Sequence, residues 1–182
     1  LFNSNLAKNQ NNTLNILLLN PMRFMQDIES ISLVKDVNLL FLDSTVQYRL
    51  NSFFLPHHTS FTVSRYITPD IYTEKLVACL SGFLKRAKED LGVQCILSPS
   101  FQYRQDFPYQ SASKISGINY FVIFKEYLKD PAVKDQFTKE YKNKQYKFLG
   151  SKMFLANEIL EEIVVDSGVS KRDNLSVVGS CL

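Results

Sequence analysis

At 182 residues, with 45% hydrophobic and 21% charged residues, the chain is sized for one soluble globular domain, or one domain and the first piece of another, and can bury a real core. A net charge of +3 is too small to argue for a nucleic-acid partner, and no apolar run approaches the roughly 20 residues a membrane helix needs. Cys79, Cys95 and Cys181 lack metal-ligand spacing and read as reduced core thiols of a cytosolic protein.

Residues 1–12 are asparagine-rich and patternless, which predicts a mobile arm. The run NILLLN at 15–20 predicts the first central strand. The turn after it, Pro21-Met22-Arg23-Phe24, has no glycine, whereas a dinucleotide fold wants a glycine-rich turn there to let the backbone approach a pyrophosphate; this argues against NAD or FAD at this position. Ile28, Ile31 and Val34 keep helical spacing, and NLLFLD at 38–43 predicts a second strand. Ser44 with Gln47 has the form of a capping box, and Val46, Leu50, Phe53 and Phe54 mark the buried face of the helix behind it.

Pro56-His57-His58 ends that helix, and residues 60–67 predict a third strand. The two histidines then fall at the amino-end edge of the sheet; adjacent side chains in an extended segment also point apart, which weighs against shared metal binding or catalysis. Thr68-Pro69-Asp70 opens the longest helix, to about Leu91, with Tyr72, Leu76, Leu80, Phe83, Ala87 and Leu91 on its apolar face and Gly92 at its end. An apolar run at 95–97 predicts the next strand, and residues 98–106 a polar loop. Asp106 stands at a helix N-cap position with Pro108 in the first turn, and Gly117 closes that helix. INYFVIF at 118–124 reads as a strand buried on both faces, ending in Lys125-Glu126. Asp130-Pro131 starts a helix carrying Lys134, Lys139, Lys142, Lys144 and Lys147; this is either a solvated face or a surface attracted to anionic headgroups at the inner membrane. Residues 152–156 predict a strand, Asn157 caps a helix with Glu158, Glu161 and Glu162 near its positive end, and residues 174–178 predict a last strand.

Strands and helices alternate throughout, which predicts an α/β fold: a three-layer, Rossmann-like parallel sheet with helices on both faces. In such a sheet ligands gather outside the carboxyl ends of the strands. That rule selects Arg23, Ser98, Tyr103, Arg104, Asp106, Lys125, Glu126, Asn157 and Glu158 as candidate site residues. Their hydroxyls, amides and charges suit a polyhydroxylated ligand, and the helix N-termini after Asp43, Asp106 and Asn157 could hold phosphate. Each residue also has a plain structural role open to it. Asp106 and Asn157 can be helix caps. Glu126 can be a general base or an ion-pair partner of Lys125 or Arg104. Arg104 can clamp a phosphate or carboxylate, or be solvated. Tyr103 and Phe101 can stack on a sugar or pack the loop.

Two passages carry a resemblance. The run ILSPSFQYRQDFPYQSASKISGINYFVIFKE resembles the middle of the first domain of bacterial surface-polysaccharide glycosyltransferases of the GT-B architecture: strand, polar loop, a helix with Ser113-Lys114 and Gly117, then a strand ending Lys125-Glu126. The tail FLANEILEEIVVDSGVSKRDNLSVVGS is similar to the passage into their second domain. Glycerophosphate-polymer transferases and sugar-nucleotide epimerases share the pattern. The resemblance implies two facing Rossmann-like domains, with this chain the acceptor side: residues 13–173 the acceptor domain, and residues 174–182 the first strand of a truncated donor domain. It implies transfer of a sugar from a nucleotide-sugar, held by the other domain, to a glycan or lipid-linked acceptor. Glu126 would be the catalytic base, no cofactor or protein-bound metal would take part, and the chain alone would be inactive, in the cytoplasm or peripheral at the inner membrane face. A chain that begins at Leu1 and stops at Val-Val-Gly-Ser-Cys-Leu is in keeping with a piece of a longer protein. A non-catalytic sugar- or effector-binding module and an epimerase remain as alternatives.

Overall fold

The computed structural model describes residues 13–20, 25–54, 71–103, 106–124, 131–144 and 147–179. Six strands form one sheet: β1 (Leu14–Leu18), β2 (Val37–Phe41), β3 (Val93–Ser98), β4 (Asn119–Phe124), β5 (Lys152–Leu155) and β6 (Leu175–Val177). Their spatial order is β2-β1-β3-β4-β5-β6, and all five pairings are parallel. Parallel neighbours need crossovers, supplied here by α1 (Met25–Ser32), α2 (Ser44–Phe54), α3 (Ile71–Leu91), α4 (Asp106–Ser116), α5 (Lys134–Asn143) and α6 (Glu158–Asp166). This is the expected α/β, Rossmann-like sheet with helices on both faces. The expected strand at residues 60–67, the arm at 1–12 and His57-His58 lie outside the described residues.

The two faces are covered unequally. Leu17, Leu40, Ile96, Tyr120, Val122, Met153 and Leu155 point to one side and meet α3, α4, α5 and α6 through Leu80, Leu84, Ala112, Tyr141 and Ile163. Alternate residues on the same strands point the other way. There Ile16, Leu18, Cys95 and Leu97 meet Ile28 of α1, with Val37, Leu39, Phe121 and Ile123 partly covered. β4 is therefore not the strand buried on both faces that its composition predicts: Tyr120, Val122 and Phe124 are fully buried, Phe121 and Ile123 only in part. The reason is topological. From β2 onward the crossovers step in one direction, which stacks their helices on one face, while the opposite step from β1 to β2 puts α1 on the other.

Local rules account for the element ends. Gly117 closes α4 at φ +62, where the Ile118 N–H bonds Ser113 O at 3.0 Å, and glycine takes this left-handed position without the strain a Cβ would add. The Asn157 side chain accepts from the Leu160 N–H at 2.9 Å and caps α6 as expected. Gly150 is fixed by close approach: a Cβ there would stand 2.8 Å from Tyr120 O.

Several expectations need correction. The cap of α2 is Asp43, whose Oδ1 accepts from the Thr45 N–H at 2.6 Å, and Gln47 turns inward to donate to Leu42 O. Val46, Leu50 and Phe54 pack against the core as expected, but in part only; Gln47 and Asn51 are the fully buried residues of the helix, and Phe53 is 77% exposed. On α3 the fully buried row is Leu76, Leu80 and Leu84, with Phe83 only partly covered. α1 ends at Ser32, leaving Val34 exposed. Cys79 is exposed rather than a core thiol; Cys95 is buried. Residues 174–182 were expected to open a second domain, but β6 pairs in register with β5, Leu155 opposite Val177, as the sixth strand of this sheet.

Candidate functional site

In a doubly wound sheet the ligand crevice opens where the strand order reverses, because the loops leaving the two neighbouring strands diverge to opposite faces. Here the reversal lies between β1 and β3, since β2 is on one side of β1 and β3 on the other. The Leu19 N–H bonds Leu97 O at 2.9 Å, so the two strand ends stay level to the rim. Asn20, at φ 50 in the left-handed region, then turns the chain away; an asparagine tolerates that conformation better than most residues. Opposite it, β3 runs into Pro99, Ser100 and Phe101.

The loop after β3 is braced from beneath. Ser98 is buried and its hydroxyl donates to Ser100 O at 3.0 Å. Ser100 Oγ donates to Asp106 Oδ2, and the Tyr103 N–H donates to the same oxygen at 3.1 Å. Asp106, 1% exposed, thus binds back into the loop that precedes its own helix. One turn further, the Gln110 amide donates to Phe101 O at 3.0 Å and its carbonyl accepts from the Leu149 N–H at 2.9 Å. Phe101 is the loop's apolar anchor: its ring meets Phe124, Tyr141 and Phe148 edge-on, with centroids 5.1 to 6.4 Å apart. It packs the core and does not offer a face to a sugar.

Of the candidate residues, the structure brings Ser98, Tyr103 and Asp106 into one loop. Ser98 and Asp106 are buried braces of it, and Tyr103 is half-buried at its lip. Asn157 and Glu158 stand at the carboxyl end of β5, two strands from β3, so they share the edge but not the crevice. Arg23, Arg104, Lys125 and Glu126 lie outside the described residues. Sequence reasoning missed Gln110 and Asp27. Gln110 sits mid-helix among small residues where no pattern marks it. Asp27 is a buried carboxylate in the first turn of α1, behind β1, and the helical spacing there drew notice to Ile28 instead.

Among the helix N-termini at this edge, the chain's own side chains engage the amides of two, α2 and α6. Asp43 serves α2, and Asn157 serves α6 with Glu158 beside it. The backbone N–H of Thr45 holds the Asp43 carboxyl below the usual carboxylate range. Asp106 puts a carboxylate at the start of α4. Negative charge at these positive ends competes with a bound phosphate.

The lysine-rich helix is largely engaged. Lys134 Nζ lies 2.6 Å from Glu162 and 3.5 Å from Asp166, and the hydrogen bond to Glu162 raises its pKa. Lys144 pairs with Glu140, and Lys147 Nζ donates to Gly168 O at 2.6 Å. The Lys134 pairs tie α5 to α6, and Lys147 caps α6's negative end. Among the described residues no helix is long and apolar enough to cross a membrane, and no group of three or more His, Cys, Asp or Glu residues is placed to hold a metal ion.

No protein-family model and no curated protein sequence matches the chain. Among solved structures it is similar to the UDP-GlcNAc 2-epimerase from Neisseria meningitidis bound to UDP-GlcNAc, at 13% identity and a TM-score of 0.49. The match covers 92% of this chain and 46% of that one, so the chain spans about half that protein's length. The assignment to a parallel Rossmann-like sheet rests on the strand order and pairing above, not on this likeness.

Proposed function

We propose that this chain is the acceptor-binding half of a glycosyltransferase that moves a sugar from a nucleotide-sugar to a surface polysaccharide or lipid-linked acceptor. The observation that carries the reading is the braced loop at the switch point, within the same 96–126 stretch that resembles the first domain of GT-B transferases. A braced loop with half-buried Asn20 and Tyr103 at its lip suits a polyol, because positioning an acceptor hydroxyl for attack requires a loop that does not relax when the ligand binds.

In this reading Glu126, two residues past β4 in the sequence, is the general base. It takes the proton from the acceptor hydroxyl as that oxygen bonds to the anomeric carbon and the nucleoside diphosphate departs. Arg23, Arg104 and Lys125, placed by sequence at the same edge, offset the developing diphosphate charge. The donor sits in a second domain of the longer protein, so the chain alone transfers nothing. The test is sugar transfer by the complete gene product with Glu126→Gln. Turnover falls by about 100-fold or more, the usual worth of a general base, while the thermal midpoint hardly moves. Unchanged turnover makes Glu126 a structural ion-pair partner. Formation of an epimerised nucleotide-sugar in place of a glycoside moves the protein to the epimerase reading.

A further inference from the structure

We draw no further inference here: the strongest candidate, the partly covered apolar patch of Phe121, Ile123 and Phe154 on the α1 side of β4 and β5, carries nothing, because nothing in the structure shows what covers it.

Discussion

Cys95 shows how one side chain reports on its surroundings. It sits in β3 beneath α1, and burial pushes its thiol from the ordinary 9.0 up to about 11. A thiol that must stay neutral in the fold stabilises nothing extra below its unfolded pKa, but resists ionisation above it. Stability is therefore complete below about pH 9 and falls as pH rises toward 11, by roughly 3 kcal/mol for a shift of this size. Cys95→Ala should flatten the decline in urea-unfolding free energy between those pH values, apart from its constant cavity cost; an unchanged slope would mean the thiol is not the group that titrates. Tyr109 is a second such residue. It is 2% exposed, its hydroxyl has no hydrogen-bond partner among the described residues, and burial, with the Asp106 charge second, raises its pKa. Leaving a polar group unpaired in the interior costs about 1 to 3 kcal/mol. Tyr109→Phe should thus match or exceed the parent in stability at neutral pH and lose less of it above pH ~10, where an unfolded tyrosine ionises. A clear loss on removing the hydroxyl would show that it is bonded.

At the scale of elements, the loop between β3 and α4 depends on one amide. Gln110 is fully buried and joins Phe101 O in the loop to the Leu149 N–H on the approach to β5. Gln110→Leu keeps the bulk but strands both backbone groups. The expected loss is roughly 2 to 4 kcal/mol by denaturant unfolding, with faster exchange of the Leu149 amide, whose N–H loses its acceptor, than of amides in β1. Parent-like exchange at Leu149 would mean that segment is held without Gln110. Strands and helix caps were legible in the sequence because apolar runs and cap residues are local signals: Asn157, Gly117 and the six described strands fall where the pattern puts them, within a few residues. Facing was less legible. On α2 the sequence pointed to Ser44 as the cap and Phe53 as core, but the cap lies one residue earlier and the buried side carries Gln47 and Asn51. Gln47 faces in because Leu42 O, left open where β2 ends, needs a donor, and no periodicity encodes that.

For the whole molecule, alternation of strands and helices predicted the parallel sheet, and the five parallel pairings bear it out. What alternation does not carry is strand order. β6 continues this sheet beside β5, where the sequence suggested a new domain, because a strand's composition does not say which edge it joins. Strand order also decides where the candidate site lies: the crevice belongs to β1 and β3, so Asn20 and the 99–103 loop become its core, and Asn157 and Glu158 move to its periphery. The unequal cover of the two faces follows from the same order. It leaves Phe121 and Phe154, with ring centroids 6.0 Å apart, only partly buried.

The central claim is that a polyhydroxylated ligand binds at the switch point. It is tested by titrating the isotope-labelled chain with a panel of neutral mono- and oligosaccharides and mapping amide shifts by NMR. The account predicts saturable shifts gathered at Asn20, Ser100, Phe101, Gln102 and Tyr103, with little change at β6 or α5. Shifts gathered elsewhere, or none across the panel at millimolar sugar, would contradict it.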